Sequence, residues 1–263
     1  MRVCNFCKSH PLELTLEVKG RQIYYCSQCQ IAETLPFEFE GESLYQDSAY
    51  FTEKNRYLES DSSHHQSFQH ILDLVVTHKT SGRFLDIGCG PGVLLKLAKG
   101  QGWDVSGIEV SKWAVEYAVK EWGLNVTCSP LQENIFPDSS FDVVVANHSL
   151  EHMPNPNDAL RVISKLLKKG GIAVIGVPNF ASLMRRLVGK NWFSLLPDQH
   201  KWHFTTNGLK KLIEEHNLDI KNVEFENHVA SSRNPIKRWG RIAINQVSLW
   251  SQTGEAMVIV ACK

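Results

Sequence analysis

The chain lacks three features that would point to particular classes of protein. It has no net charge, since 28 Lys and Arg residues balance 28 Asp and Glu residues, and so it lacks the positive field of a general nucleic-acid binder. No apolar run reaches the length that crosses a bilayer, and residues 1–10 lack the apolar core of a signal peptide. We therefore expect a cytoplasmic protein with no membrane span.

Periodicity along the chain predicts one α/β core with a small additional module. The chain has 263 residues, 43% of them hydrophobic, which is enough to bury one substantial core. From about residue 62, helical patterns alternate with short buried strands such as "RFLDIG", "DVSGIEV", "FDVVVAN" and "IAVIGVP". This alternation predicts a doubly wound, parallel sheet with helices on both faces. The first helix is predicted to have its apolar face at Phe68, Ile71, Leu72, Val75 and Val76.

Four of the seven cysteines form two matched pairs near the N-terminus. Cys4 and Cys7 lie in "CNFC", and Cys26 and Cys29 lie in "CSQC". Two such knuckles present four thiolates to one tetrahedral ion, which is the spacing of a Cys4 zinc site. Metal binding contributes roughly 10 to 16 kcal/mol of apparent folding free energy to small modules of this kind. The sequence therefore predicts a small zinc ribbon with Zn²⁺ in a structural role.

The cysteine pattern departs from the usual ribbon in one respect. Glycine usually follows the second cysteine of each knuckle, whereas Lys8 and Gln30 stand at those positions. The alternative is a set of unrelated thiols or a redox pair. Disulfides are not expected in a reducing compartment, and we expect the remaining Cys89, Cys128 and Cys262 to be packed side chains.

A glycine-rich segment, "FLDIGCGPGVLL", forms the turn after the first strand of the α/β region. Gly88, Gly90 and Gly92 have the spacing G-x-G-x-G, one residue shorter than the dinucleotide fingerprint, which disfavours hydride transfer with a nicotinamide cofactor. Asp86 lies on the strand, at the edge where doubly wound sheets bind ligands. Glu109 ends the next strand, where a carboxylate accepts both hydroxyls of a ribose. We therefore expect an adenosine-containing ligand.

The charges around this turn favour S-adenosylmethionine over a phosphate-bearing nucleotide. A pyrophosphate needs the positive end of the helix, whereas Asp86 and Pro91 suit a ligand with an ammonium group and no phosphates. The ribose of S-adenosylmethionine would meet Glu109, and its amino group would face the turn. Methyl transfer would leave S-adenosylhomocysteine as the product.

Four strings in order resemble the class I S-adenosylmethionine-dependent methyltransferases: "FLDIGCGPG", "GIEVS", "FPDSSFDVVVANHSLEHM" and "LKKGGIAVIGVPN". The resemblance runs from about Phe68 to the end of the chain. It implies a Rossmann-like, seven-stranded sheet whose last strand, "EAMVIVACK", is antiparallel. The cofactor contacts that it implies fall on Asp86, Gly88, Cys89, Gly90, Gly92, Glu109, Val110, Asn147 and His148.

The adenine end departs from that family. Family members usually have an acid that meets the adenine amino group, and Pro130 stands at that place here. We expect Leu131, Gln132 or backbone amides to recognise the adenine instead.

The zinc knuckles followed by "LYQDSAYF" resemble a bacterial subgroup of small-molecule methyltransferases that includes sugar C-methyltransferases. The sugar enzymes carry a further C-terminal domain. We expect no such domain in this chain, and their substrate is not transferred to it.

The methyl acceptor is expected beside an insertion over residues 180–205, which sequence order places above the methyl group. His200 and His203 flank Trp202 in "QHKWHF", which resembles a proline-then-histidine motif of the same subgroup. A histidine suits removal of a proton from a hydroxyl or a carbon acid, and such a base contributes about 10² to 10⁴ in rate. His200 is the first candidate for this base, followed by His203 and by His152 in "LEHM". The alternative for each is a packing or bracing role.

Two further features concern partners. Basic residues outnumber acidic ones from about residue 181 to residue 241, which would attract a phosphorylated or carboxylated acceptor unless they form solvated helix faces. A second insertion, over residues 228–253, is amphipathic, and it either covers the site or forms a homodimer contact.

The sequence thus predicts a zinc ribbon over 1–34, a linker with short helices over 35–61, and a class I methyltransferase domain over 62–263. The leading hypothesis is transfer of a methyl group to an oxygen or carbon of a small molecule, including one that carries a sugar or phosphate. One alternative is an RNA methyltransferase whose ribbon reads RNA, against which the excess of acids before Asp61 argues. The other is a cofactor-binding protein without turnover.

Overall fold

Two β-sheets and their flanking helices make up the described part of the chain. The computed structural model describes residues 2–37, 46–54, 56–60, 62–227, 244 and 246–263. The strands are β1 (Glu13–Val18), β2 (Arg21–Cys26), β3 (Ile31–Leu35), β4 (Arg83–Ile87), β5 (Asp104–Glu109), β6 (Val126–Cys128), β7 (Phe141–Asn147), β8 (Leu167–Pro178), β9 (Trp202–Phe204), β10 (Asp219–Glu226) and β11 (Ala256–Cys262). The principal helices are α1 (Ser63–His78), α2 (Val93–Gly100), α3 (Lys112–Trp122), α4 (Pro156–Leu166), α5 (Leu183–Val188) and α6 (Thr206–Glu214). Short helical turns lie at Tyr50–Lys54, Leu150–His152 and Gly189–Asn191.

The larger sheet has the strand order β10-β11-β8-β7-β4-β5-β6. Strands β4 to β8 pair in parallel, and β11 runs antiparallel to both β8 and β10. The order reverses at β4, which lies between β5 and β7. Such a reversal opens a crevice at the carboxyl ends of the strands. Over the described residues, the prediction of a Rossmann-like, seven-stranded sheet with an antiparallel last strand is confirmed.

The central strands are apolar on both faces because helices cover both sides of the sheet. Val143 in β7 packs into the cluster that contains Ile71 of α1, and its neighbour Val144 packs into the cluster that contains Leu160 of α4. All four side chains are at most 1% exposed. Val76, which the sequence placed on the apolar face of α1, is instead 41% exposed.

The smaller sheet has the order β1-β2-β3-β9, with every neighbour antiparallel. Strands β1 to β3 belong to the predicted ribbon, whereas β9 comes from the first predicted insertion. Ile31 pairs with Phe204, and Glu33 pairs with Trp202. The sheet therefore crosses the boundary expected at residue 34, and that division of the chain stays a prediction.

Thr205 caps α6, because its extended backbone places Oγ1 to accept from the Gly208 amide at 3.1 Å. Cys128 is exposed, not packed, because it lies on the edge strand β6.

Of the second predicted insertion, residues 228–243 and 245 lie outside the described residues, as do 38–45, 55 and 61 of the predicted linker. Within the described ranges, no helix is long and apolar enough to cross a membrane.

Candidate functional site

A cavity of about 580 Å³ opens at the crevice where the strand order reverses. The turn after β4, the end of β5 and the end of β7 form its floor, and residues 129–133 form one wall. Of the residues that the sequence assigned to the cofactor, ten line it: Asp86, Gly88, Cys89, Gly90, Glu109, Val110, Leu131, Gln132, Asn147 and His148. Gly92 does not line it, because it lies at the start of α2, where an added Cβ would lie 2.6 Å from a methyl carbon of Leu124.

The glycine turn requires left-handed backbone. Gly88 has φ +73°, and its amide donates to the Ile108 carbonyl at 2.8 Å. A Cβ at Gly88 would lie 2.8 Å from the Cβ of Ser149 on the neighbouring turn, closer than side chains pack. Glycine thus lets the β4 turn approach the β7 turn, and it leaves bare backbone facing the cavity.

Two buried carboxyl groups belong to this floor. Asp86 is 4% exposed and Glu109 is 7% exposed. Burial, and then the charge of Glu109, raises the pKa of Asp86 to about 8. Burial also raises the pKa of Glu109, although the amides of Gly90, Val110 and Ser111 donate to its carboxylate at 2.8 to 2.9 Å. A cationic group and hydroxyl donors are the ligand groups that such a pair accommodates at least cost.

Aromatic side chains that the sequence did not assign to the cofactor close the other side of the cavity. They are Tyr50, Phe51, Tyr57, His64 and Phe68. Phe51 stacks on Trp113 at 5.5 Å between ring centroids, and Tyr57 stacks on His64 at 4.1 Å. The aromatic stretch "LYQDSAYF" was the available signal, but it has no periodicity that would reveal a wall.

Three histidines and a glutamate cluster beyond the end of β7. His148 Nδ1 lies 3.3 Å from Glu151 Oε1. His152 Nδ1 lies 2.9 Å from the Gln199 carbonyl, and the rings of His152 and His200 are 4.8 Å apart. His148 and His152 line the cavity. His200, the first candidate for the base, is 5% exposed and lies behind His152, outside the cavity lining.

Burial and neighbouring charge shift the pKa of His148 in one direction and the pKa values of His152 and His200 in the other. Desolvation acts to lower the pKa of His148, but the hydrogen bond and charge of Glu151 outweigh it, so the net pKa is raised. Desolvation lowers the pKa of His152, and it holds the pKa of His200 well below its usual range, with the charges of His152 and His203 acting in the same direction. His152 and His200 are therefore neutral imidazoles at neutral pH.

His203 lies away from the cavity, in β9 at the edge of the smaller sheet. Its Nε2 is 2.8 Å from Thr34 Oγ1 in the ribbon. Burial, and then the charge of Arg185, lowers its pKa to about 3. This setting matches the packing alternative that the sequence analysis kept open for His203.

The four N-terminal cysteines converge on one point. Cys4 Sγ lies 3.8 Å from Cys29 Sγ, and Cys7 Sγ lies 3.8 Å from Cys26 Sγ. Four sulfurs at about 2.3 Å from a tetrahedral zinc ion lie roughly 3.8 Å apart. The donor set and its spacing therefore fit Zn²⁺. His10, which the sequence analysis did not single out, has its Nδ1 3.9 Å from Cys7 Sγ.

Comparison with known proteins identifies the region that contains the cavity. Residues 57–223, more than half of the chain, match the family model described as "Methyltransferase domain". The matched region begins at Tyr57 in the aromatic wall and extends through most of β10.

Curated relatives are similar over a shorter stretch. A ubiquinone biosynthesis O-methyltransferase from Alkalilimnicola ehrlichii is 32% identical over 130 residues, which cover 46% of this chain and 53% of that protein. The corresponding enzyme from Azoarcus sp. is 33% identical over 125 residues, which cover 44% and 53%. The chain thus spans about half the length of the curated relatives that it matches.

Solved structures agree on the fold. A SAM-dependent methyltransferase from Archaeoglobus fulgidus superposes with a TM-score of 0.61 at 23% identity, covering 82% of this chain and all of the other. The structure of the [4+2]-cyclase SpnF has a TM-score of 0.56 at 22% identity, covering 78% and 84%. At these identities the similarity supports the fold alone.

Proposed function

The chain belongs to the methyltransferase-domain family, and from this premise we propose that it moves a methyl group from S-adenosylmethionine to a hydroxyl oxygen of a small molecule. The observation that carries the proposal is the single cavity that joins Asp86 and Glu109 at one end to the histidines after β7 at the other. The names of the curated relatives favour oxygen over carbon as the acceptor atom. Their acceptor is not carried over, because only about half of their length is matched.

Residues of the glycine turn and of β5 would hold the cofactor. Asp86 would pair with the methionine ammonium, and Glu109 would accept the ribose hydroxyls while the backbone amides hold its carboxylate in place. Leu131 and Gln132 would enclose the adenine. When bound, S-adenosylmethionine supplies an electrophilic methyl group on a sulfonium.

His148 is the residue that we propose as the base. Its side chain is 31% exposed where it lines the cavity, and its Nδ1 faces Glu151, which orients the ring and leaves Nε2 for an acceptor hydroxyl. Its backbone has φ +50°, a conformation that is uncommon outside glycine and that clusters at functional sites. The proton leaves the acceptor for Nε2 as the oxygen attacks the methyl group in line.

The Cys4 cluster would hold a structural Zn²⁺ with no part in the transfer. Its sulfurs lie within the ribbon, and β3 links the ribbon to β9. In this arrangement the ribbon is a fixed part of the enzyme, which is a poor arrangement for a separate RNA-reading module.

Methyl-labelled S-adenosylmethionine tests the proposal directly. The purified chain would be incubated with a cell extract and then separated into small molecules with extractable lipids, RNA, and protein. We expect label in the small-molecule fraction, and we expect Glu109→Ala to abolish it through loss of cofactor binding. Label in RNA would overturn the proposal. Tight cofactor binding with label in no fraction would favour a binding protein without turnover.

A further inference from the structure

We propose that Glu151, His152 and His200 bind a divalent transition-metal ion, best matched by Zn²⁺, directly behind the part of the cavity wall that His152 forms. This site is separate from the Cys4 cluster. One ligand atom from each residue lies within 4.8 Å of the others. Tetrahedral nitrogen and oxygen ligands at about 2.0 to 2.2 Å from zinc lie roughly 3.3 to 3.6 Å apart. Side-chain rotations that shorten the longest separation by about 1 Å would complete the geometry.

Within the described part of the chain, one carboxylate oxygen of Glu151 is left without a hydrogen-bond partner. The residue is 1% exposed, and its Oε1 faces His148. Its Oε2 is buried and, among the described residues, has no hydrogen-bond partner. A buried carboxylate oxygen without a partner is costly, and a bound cation removes that cost. A bound cation would therefore supply the partner that Glu151 Oε2 lacks among the described residues.

The His152 imidazole is oriented as metal ligands usually are. Its Nδ1 donates to the Gln199 carbonyl at 2.9 Å, which fixes the tautomer in which Nε2 carries the lone pair. The His200 ring packs edge-on against it, with 4.8 Å between the ring centroids. Ligating histidines almost always donate their second nitrogen to a carbonyl, a carboxylate or water in this way.

Hydrogen bonds to backbone carbonyls hold the two ligand-bearing segments together. Glu151 and His152 lie on the helical turn after β7, and His200 precedes β9. The Lys201 amide donates to the Glu151 carbonyl at 3.1 Å, and the Trp202 indole donates to the Met153 carbonyl at 2.9 Å. The ligands thus come from a rigid frame, as a metal site requires.

The donor set indicates the ion and its use. Two imidazoles and one carboxylate match catalytic zinc sites, in which a fourth position stays open for water or substrate. A hydroxyl in that position becomes more acidic and is fixed in orientation. His148, whose Nδ1 contacts Glu151, would then receive its proton. This anchoring role rests on the proposed function, whereas binding of the ion does not.

Metal content of the full-length protein tests the inference. We expect two zinc ions per chain after purification with zinc and gel filtration, measured by mass spectrometry of the metal. His200→Ala and Glu151→Gln should each retain one ion, whereas His78→Ala, a change to an exposed histidine on α1, should retain two. Cobalt substitution separates the sites, because only the Cys4 site gives a thiolate-to-cobalt charge-transfer band, and both variants should keep it.

The number of zinc ions bound by the wild-type chain tests the inference even if a variant fails to fold. One zinc ion per chain, with the charge-transfer band at full strength in the cobalt form, would overturn the inference. So would two ions in a folded Glu151→Gln variant. Two ions without methyl transfer to any small molecule would instead contradict the proposed function, and label transfer by a one-ion protein would contradict the metal site alone.

Discussion

Thr34 Oγ1 and His203 Nε2 lie 2.8 Å apart in a buried hydrogen bond between the ribbon and the α/β domain. The same hydroxyl donates to the His200 carbonyl at 2.9 Å, so it accepts from His203 Nε2. The Thr34 amide also donates to the Lys201 carbonyl at 2.9 Å. Thr34 therefore binds the backbone of His200 and Lys201 before Trp202 and the ring of His203 after it, next to the histidine cluster.

Thr34→Val should destabilise the protein although it conserves shape. The change leaves the His203 N–H and the His200 carbonyl buried without their partner, and such a loss costs about 1 to 3 kcal/mol. Urea unfolding would measure the change in the free energy of unfolding. Thr15→Val, on an exposed position of β1, is the matched control and should have little effect. Equal effects of the two substitutions would show that the interface bond contributes nothing.

Removing the zinc ion that we propose for the ribbon should loosen β9. Because β9 has its strand partner in β3, a ribbon that loses Zn²⁺ also loses the edge to which Trp202–Phe204 pairs. Cys26→Ser should lower the zinc content and speed hydrogen exchange in a peptide that spans β9, while β4 keeps its protection. Cys128→Ser, at an exposed cysteine, is the control. Unchanged exchange in β9 would mean that the ribbon unfolds independently.

His148→Asn should reduce methyl transfer with little change in cofactor affinity. Asparagine tolerates the left-handed backbone that His148 adopts, so the substitution removes the ring while the turn is kept. The rate of label transfer should fall by about 10² to 10⁴ if the ring is the base. Calorimetry would follow binding of S-adenosylmethionine in parallel, and His78→Asn serves as the control. A rate within a few-fold of wild type would exclude His148 as the base.

Local spacing made much of this molecule predictable. The cysteine pairs and the glycine turn are short-range patterns, since the residues that meet are a few positions apart or repeat a known interval. The central strands were also predictable, because strands that are buried on both faces have continuous apolar sequences such as "FDVVVAN". These features need no knowledge of the rest of the fold.

Contacts between distant segments were not predictable. The strand Trp202–Phe204 has only three residues, and it forms because β3 offers a partner about 170 positions earlier. Its pairing draws His203 into the interface, and the turn before it places His200 behind His152. The sequence could name these histidines but could not tell which one faces the cavity. Glu151 was overlooked because nothing local reveals that its carboxylate is buried.

Asp86 should make cofactor binding release a proton. Its pKa of about 8 keeps most of the carboxyl protonated near pH 7, whereas pairing with the cofactor's ammonium requires the ionised form. Affinity should therefore rise from about pH 6 to pH 7.5, with proton release measured by calorimetry in buffers of different ionisation enthalpy. Asp86→Asn should bind more weakly and release no proton at this position.

Ionisation of Asp86 should strengthen cofactor binding but lower the stability of the folded protein. Its pKa is raised from 3.8 in the unfolded chain to about 8 in the folded protein, so the folded state holds the proton more tightly. The contribution to stability is complete below the unfolded pKa and is lost progressively as the pH rises toward 8. Without cofactor at pH 8, Asp86→Asn should therefore be more stable than wild type in urea, although it binds the cofactor more weakly. An unaltered pH slope in the variant would show that Asp86 is ionised throughout, and the proton-release prediction would fail with it.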